Sequence, residues 1–160
     1  MENCNGVATP LDPSLQLESA PDGYLASRTD ILEYQQAVGS IMYAMLGTRP
    51  DLAFTVSILS RFCSNPTNTH SIAVQRVFRY LQRTSQVGIL FAGQKALEFL
   101  GSTPELISQK ELDQSFGITG FTDSDWAGDK DTRKSTSGYL FTLHGGAVSW
   151  KSARQSVVAT

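Results

Sequence analysis

Residues 120–141, GFTDSDWAGDKDTRKSTSGYLF, decide how the second half of the chain is interpreted. Apolar and polar residues alternate from Ile118 to Asp123, which predicts a half-buried strand. That strand runs into four aspartates, namely Asp123, Asp125, Asp129 and Asp131. Aspartate is rare in strands and costly to bury without a partner, so a cluster of acids at a strand end requires a specific explanation.

Residue chemistry offers three explanations for these aspartates. The first is a solvated turn, because Asp and Gly are common in loops. The second is a calcium loop, whose first, third, sixth and ninth positions are matched by Asp123, Asp125, Gly128 and Asp131. Lys134 stands where that loop needs a bidentate glutamate, which argues against calcium. The third is a divalent-metal nuclease site, in which a strand aspartate is the first ligand of a two-metal cluster.

The apolar periodicity and the turn-forming residues of the whole sequence predict an α+β chain in four parts. These are an irregular lead-in (1–26), a helical segment (27–92), a polar linker (93–116) and a strand segment (117–160). Asp30 is predicted to begin the first helix and Gly47 to end it. Thr48 and Pro50 are predicted to begin the second helix, and the third is expected over 69–83. Three short helices of this kind pack as a compact bundle. In the linker we predict only a helical turn near 110–114.

The strand segment predicts an antiparallel meander of three strands. Gly145-Gly146 separates two alternating runs and is typical of a two-residue hairpin turn. Trp126 and Trp150 are expected to be packing anchors, and His144 an exposed residue beside the turn.

Arg76, Arg79 and Arg83 share one side of the third predicted helix. They form either a solvated face or a stripe that contacts phosphates, since the planar arginine fork pairs with two oxygens. The net charge of the whole chain is −2, far from that of a strongly basic nucleic-acid binder.

Several classes of protein are disfavoured by composition. The two cysteines, Cys4 and Cys63, lie far apart, and with only two histidines they predict neither a zinc site nor a disulfide framework. No stretch approaches the roughly 20 apolar residues of a membrane span, and the first residues carry no apolar signal core. We therefore expect an intracellular protein without a membrane partner.

The run TDSDWAGDKDTRKSTSGYLFTLHGGAVSWKSARQSVVA resembles the start of the ribonuclease H (RNase H) domain of copia-type retrotransposon Pol polyproteins. YQQAVGSIMYAMLGTRPDLAF and RFCSNPTNTHSIAVQRVFRYLQRT resemble the reverse-transcriptase thumb of that family, and this match is the longest and most specific. MENCN…TPLD resembles the connector after the polymerase palm. The linker at 93–116 departs from the family, which usually has a shorter connection there.

The resemblance implies a three-helix thumb-like bundle followed by a truncated RNase H-like, three-stranded antiparallel meander. It implies that Asp123 is the metal-binding and catalytic carboxylate, with Mg²⁺ as the cofactor of the parent family. The parent activities are RNA-directed DNA synthesis and cleavage of RNA in an RNA–DNA hybrid. The implied partners are that hybrid or a primer–template duplex, together with the remaining Pol segments. The parent element would occupy the cytoplasm, a virus-like particle or the nucleus.

The partners of Asp123 are missing from the sequence. In the family a glutamate on the first RNase H helix and further acids complete the site, but no Asp or Glu follows Asp131 here. We therefore expect a polyprotein fragment that is catalytically incomplete by itself and does not bind Mg²⁺ stably. Two alternatives are a non-catalytic nucleic-acid-binding module that uses Arg76, Arg79 and Arg83, and a translated relic without function. The helical segment is expected to be the better-folded half.

Overall fold

The computed structural model describes residues 4–12, 14–91 and 117–158, and they form three helices followed by a three-stranded antiparallel sheet. The predicted α+β class is confirmed. The described part of the lead-in has neither helix nor strand. The predicted linker turn near 110–114 lies outside the described residues. Within the described ranges, no helix combines the length and the apolar character needed to cross a membrane.

The first helix, α1, spans Arg28–Gly47 and is capped by Ser27, so the predicted start at Asp30 is wrong. The Ser27 hydroxyl accepts a hydrogen bond from the Asp30 backbone N–H at 3.1 Å and donates one to the Asp30 carboxylate at 2.7 Å. A serine in extended conformation satisfies a free N–H of the first turn, which leaves Asp30 inside the helix near the positive end of its dipole. The predicted end at Gly47 is confirmed.

The predicted second helix is a short α-helix between two 3₁₀ turns. The turns are Pro50–Leu52 and Ser60–Phe62, and α2 between them spans Ala53–Leu59. Pro50 stands in the first turn as predicted, but Thr48 is not the cap. The Thr48 backbone N–H instead donates to the Ala44 carbonyl at 3.1 Å and closes α1. The turn begins without a side-chain cap, and Pro50 itself has no N–H that needs a partner.

The third helix, α3, spans Asn68–Arg83, which confirms the prediction to within one residue. Its cap is Thr67, and His70 takes the position at which a capping box usually has Glu or Gln. The apolar sides of the helices meet in one core, whose buried members are Tyr34, Val38, Ile41, Leu52, Val56, Leu59, Phe62, Ala73, Val74 and Val77. All ten recur at helical spacing in the sequence, whereas Met42, which shares that spacing in α1, is 40% exposed.

The sheet consists of β1 (Ile118–Ser124), β2 (Thr136–Leu143) and β3 (Gly146–Arg154), in the order β1-β2-β3. The hairpin turn between β2 and β3 is His144-Gly145, not the predicted Gly145-Gly146. His144 and Gly145 have φ of 49° and 77°, the pair of positive values that a tight two-residue hairpin requires. Gly146 pairs with Leu143 and already belongs to β3.

The sheet packs against the helices through β3. The Trp150 indole N–H donates to the Met45 carbonyl oxygen of α1 at 3.2 Å, which confirms Trp150 as a packing anchor. Trp126 lies in the irregular segment after β1 and is 72% exposed, so its predicted packing role is wrong.

One face of the sheet is open to solvent. The antiparallel register places Ile118, Tyr139 and Phe141 on that face, and all three side chains are exposed. This agrees with the expectation that a three-stranded meander without a covering helix leaves apolar surface in water.

Candidate functional site

Asp123 is the carboxylate that the sequence singled out, and it lies near the end of β1, opposite Gly138 of β2. Its side chain is exposed, and its Oδ1 accepts a hydrogen bond from the Ser124 backbone N–H at 2.9 Å. Asp123 lines an open cleft of about 710 Å³, to which Lys151 and Arg154 of β3 also contribute. The strand prediction therefore placed Asp123 correctly, at a strand end that opens to solvent.

Asp125 closes the loop between β1 and β2. Its carboxylate accepts a hydrogen bond from the Thr136 backbone N–H at 2.6 Å, and its own N–H donates to the Thr136 carbonyl at 3.1 Å. Gly128 packs directly against this carboxylate, because a Cβ at position 128 would collide with Asp125 Oδ2. The side chain and the backbone of Asp125 thus both hold this loop closed.

Asp129 is buried, with a side chain that is 6% exposed, and it forms the centre of an ionic cluster between helices and sheet. Arg154 of β3 and Arg61 of the 3₁₀ turn after α2 both donate to Asp129 Oδ2, Arg61 at 3.3 Å. Arg61 also donates to the Thr136 hydroxyl at 3.1 Å. Two guanidinium groups share one carboxylate, so the cluster carries a net positive charge.

The electrostatic environment keeps Asp129 ionised. Burial acts to raise the pKa of Asp129, but hydrogen bonds from Arg154 and Thr132 and the charge of Arg61 outweigh it, so the pKa lies below its usual value. Burial also lowers the pKa of Arg61, an effect that the charge of Asp129 opposes. The cluster is therefore a structural ion pair with an additional cation.

Asp131 joins the loop to the lead-in. Its carboxylate accepts hydrogen bonds from the Ser19 backbone N–H at 3.0 Å and from the Ser19 hydroxyl at 2.6 Å. Beside it, Lys130 Nζ lies 2.9 Å from the Glu18 carboxylate. Asp125, Asp129 and Asp131 thus each contact a different part of the chain.

The four aspartates do not converge on a common point. Within residues 4–12, 14–91 and 117–158, no group of three or more Asp, Glu, His or Cys side chains is arranged to hold a metal ion. Of the four, Asp123 is the one whose carboxylate faces an open cleft and is not tied to a distant part of the structure. The described residues therefore do not fit the paired Mg²⁺ ions that the resemblance implies.

Arg76, Arg79 and Arg83 lie along one side of α3, as the spacing predicted, and the lead-in crosses them. Arg79 Nε donates to the Asn5 carbonyl at 2.7 Å, and Arg76 Nη2 donates to the Thr9 hydroxyl at 3.0 Å. The sequence-predicted arginines are thus assembled on one face, and their role in binding stays a prediction.

Sequence reasoning missed two polar residues, the partly buried Arg61 and the buried His70. His70 is almost fully buried, with Nδ1 accepting from the Thr67 N–H at 2.9 Å and Nε2 3.0 Å from the Glu18 carbonyl. Since Nδ1 accepts, Nε2 carries the proton and donates to Glu18. The available signals were a single arginine within the apolar run ILSRF and a histidine three residues after Thr67.

The chain is similar in sequence to known proteins of two kinds, an effector protein and transposon polyproteins. It is 47% identical over 126 residues to "Secreted RxLR effector protein 161" of Plasmopara viticola, a match that covers 79% of this chain and 75% of that protein. It is 39% identical over 166 residues to the retrovirus-related Pol polyprotein from transposon TNT 1-94 of Nicotiana tabacum, with 99% of this chain and 11% of the polyprotein covered. To the polyprotein from transposon RE1 of Arabidopsis thaliana it is 35% identical, with 95% of this chain and 9% of the polyprotein covered.

The chain thus spans about three quarters of the effector and about a tenth of the two polyproteins. No family model and no solved structure matches it. The matches to Pol polyproteins extend over nearly the whole chain, through the helices and the strands alike. The chain therefore belongs to the family of copia-type retrotransposon Pol polyproteins.

Proposed function

We propose that the chain is the part of a retrotransposon polyprotein that joins a reverse-transcriptase thumb-like bundle, residues 27–92, to the first strands of an RNase H-like domain, residues 117–160. The order of elements supports this assignment, because three helices precede an antiparallel meander whose first strand carries Asp123. In the resembled family these parts serve RNA-directed DNA synthesis and Mg²⁺-dependent cleavage of RNA in an RNA–DNA hybrid.

We also propose that the chain does not cleave an RNA–DNA hybrid by itself. The observation that carries this point is the engagement of Asp125, Asp129 and Asp131 in structural contacts, which leaves Asp123 as the one acid that lines its cleft among the described residues. Two-metal hydrolysis needs several carboxylates around ions about 4 Å apart, so that attacking and leaving oxygens are both stabilised. A single exposed carboxylate does not provide that arrangement.

Incubation of the 160-residue chain with an end-labelled RNA–DNA hybrid and Mg²⁺ tests this proposal. We expect no cleavage above the buffer control, for the unmodified chain and for Asp123→Asn alike. Metal-dependent cleavage that Asp123→Asn abolishes, and that Asp131→Asn leaves intact, would show that the chain is an active nuclease and would overturn the proposal.

A second candidate function is binding of an RNA–DNA hybrid or primer–template duplex through Arg76, Arg79 and Arg83. The observation that favours it is the alignment of three guanidinium groups on one side of α3, opposite the side that enters the core. Arginine suits this role because its planar fork pairs with two phosphate oxygens. In the resembled family the thumb grips such a duplex.

Salt dependence tests the binding. If three phosphates are neutralised, affinity should fall roughly 40-fold between about 50 mM and about 200 mM salt. Fluorescence anisotropy with a labelled hybrid measures this slope. We expect Arg79→Gln to reduce the logarithmic slope by about one unit and Arg28→Gln, at the exposed start of α1, to leave it unchanged. An affinity that does not respond to salt would contradict binding through phosphates.

A further inference from the structure

The lead-in places oxygen atoms against two of the three arginines on this side of α3, Arg76 and Arg79. The Asn5 carbonyl accepts from Arg79 at 2.7 Å, and the Thr9 hydroxyl accepts from Arg76 at 3.0 Å. The Asp12 carboxylate lies 3.9 Å from Arg76. Hydrogen bonds from Ser14 lower the pKa of Asp12, with a smaller contribution from Arg76, so this carboxylate is charged at neutral pH. We call residues 5–12 the strap.

The backbone of the lead-in also contacts the third arginine, Arg83, along the aliphatic part of its otherwise exposed side chain. At Gly6 a Cβ would lie 2.7 Å from Arg83 Cβ and 3.2 Å from Arg83 Cγ. Real Cβ atoms essentially never approach so closely, so the strap reaches this position only because residue 6 is glycine. All three arginines of the face are therefore in contact with the strap.

The strap does not supply a hydrogen-bond acceptor for every buried N–H group of these arginines. Arg76 Nε is buried and has no hydrogen-bond partner among the described residues. A buried donor without an acceptor is unfavourable, and a guanidinium normally presents two parallel N–H groups to one anion. A phosphate group carries enough oxygens to accept from both Nε and Nη2, whereas the Thr9 hydroxyl accepts from Nη2 alone.

We propose that the strap is an autoinhibitory segment that occupies the arginine face in place of a phosphate backbone and must be displaced when a nucleic-acid duplex binds. The inference rests on the proposed duplex binding by the same arginines. The rest of the lead-in has separate anchors, at Glu18 on His70 and at Ser19 on Asp131. The strap therefore leaves α3 without releasing the whole lead-in.

Gly6→Ala is the most selective test, because it changes no charge and removes no donor or acceptor. The added methyl group collides with Arg83 and lifts the strap. We expect Gly6→Ala to tighten hybrid binding roughly fivefold to thirtyfold, the factor by which a strap held by a few partly exposed polar contacts lowers the binding-competent fraction. Gly88→Ala is the matched control, since a Cβ at position 88 meets nothing within 4 Å.

A second variant, Thr9→Val/Asp12→Asn, removes the hydroxyl acceptor and the negative charge of the strap and should also tighten binding. If both strap variants bind the hybrid as tightly as the unmodified chain while Arg79→Gln binds it more weakly, the autoinhibitory role of the strap is refuted and binding through the arginines is retained. An affinity that is unaffected by Arg79→Gln, or no binding in any variant, would overturn the proposed binding face and the strap with it. Binding that appears only in the strap variants would support both.

Thiol labelling detects displacement directly. Cys4, beside the strap, and Cys63, after the second 3₁₀ turn, are the two cysteines of the chain, and both are half-buried. Saturation with hybrid should accelerate maleimide labelling of Cys4 relative to Cys63, as measured by peptide mass spectrometry. A Cys4 rate that is unchanged or slower in the bound state would contradict displacement of the strap.

Discussion

Replacement of Asp129 by asparagine removes the one negative charge that Arg61 and Arg154 share. The asparagine oxygen still accepts from the backbone N–H groups of Asp131 and Thr132, which now bind Asp129 Oδ1. The change is therefore nearly isosteric and acts mainly on charge. The two guanidinium groups between the helices and the sheet then lose the carboxylate to which both are bonded, and Asp125 is left as a weaker electrostatic partner of Arg61.

The expected magnitude follows from the exposure of the two arginines. Removal of one partner from a fully buried pair costs about 3–5 kcal/mol, because the remaining charge stays buried. The Arg61 side chain is 13% exposed, but Arg154 is 37% exposed and is partly screened by water. We therefore expect Asp129→Asn to lower the free energy of unfolding by about 2–3 kcal/mol. For a chain of this size the midpoint temperature should fall by roughly 5–10 °C.

Urea unfolding followed by tryptophan fluorescence measures the effect, since Trp150 lies at the junction of helices and sheet. Asp131→Asn is the control, because it alters an exposed contact with Ser19 and should cost at most about 1 kcal/mol. Adding Arg61→Met to Asp129→Asn removes the second positive charge and should restore more than half of the loss. Equal stabilities of the Asp129→Asn and Asp131→Asn variants would refute the reasoning.

Two further predictions concern residues that hold the scaffold. Burial lowers the pKa of His70 below its usual 6.5, despite opposing effects of the Glu18 backbone and Asp131, so His70 stabilises the fold fully above about pH 6.5 and progressively less as the pH falls through its folded-state pKa. Urea midpoints at mildly alkaline and mildly acidic pH should show this loss, and His70→Gln should remove it while His144→Gln retains it; an unchanged slope in His70→Gln would contradict the assignment. Gly128→Ala should displace the Asp125 carboxylate and cost about 1–2 kcal/mol, but little in an Asp125→Ala background. Equal costs in the two backgrounds would show that the carboxylate is not the group displaced.

The lead-in is a structural part of the molecule although it contains no regular element in its described residues. Its Glu18–Ser19 pair contacts both halves: Glu18 accepts from His70 of α3 through its carbonyl and pairs with Lys130 through its carboxylate. Ser19 donates to Asp131 in the loop between β1 and β2. One ring nitrogen of His70 contacts the cap of α3 at Thr67, and the other contacts the lead-in at Glu18, so this side chain couples the two. Protonation of His70 would put a proton on the nitrogen that accepts from Thr67 and would therefore break the contact with the cap.

The helices were predictable because their signals are local. Apolar spacing fixes which side of a helix is buried, and Gly47 and Pro50 end and begin elements through their own backbone geometry. The start of α1 was less predictable, because Ser27 and Asp30 are both good capping residues. The Ala26 N–H donates to the Asn65 side chain at 2.8 Å, which holds the chain extended up to Ser27. A contact across 39 residues thus selected the cap.

By itself the sequence determined the α+β class, the helical core, the strand that carries Asp123 and the family of the chain. All of these depend on periodicity, turn residues and motifs that are read within a few residues. Only the tertiary structure decided what the other aspartates do. Asp129 meets Arg61 across 68 residues and Asp131 meets Ser19 across 112, and neither pairing follows from local propensity. The physical reason is that a carboxylate becomes an ion-pair centre, a loop closure or an open ligand according to the burial and charges that folding brings to it from distant parts of the chain.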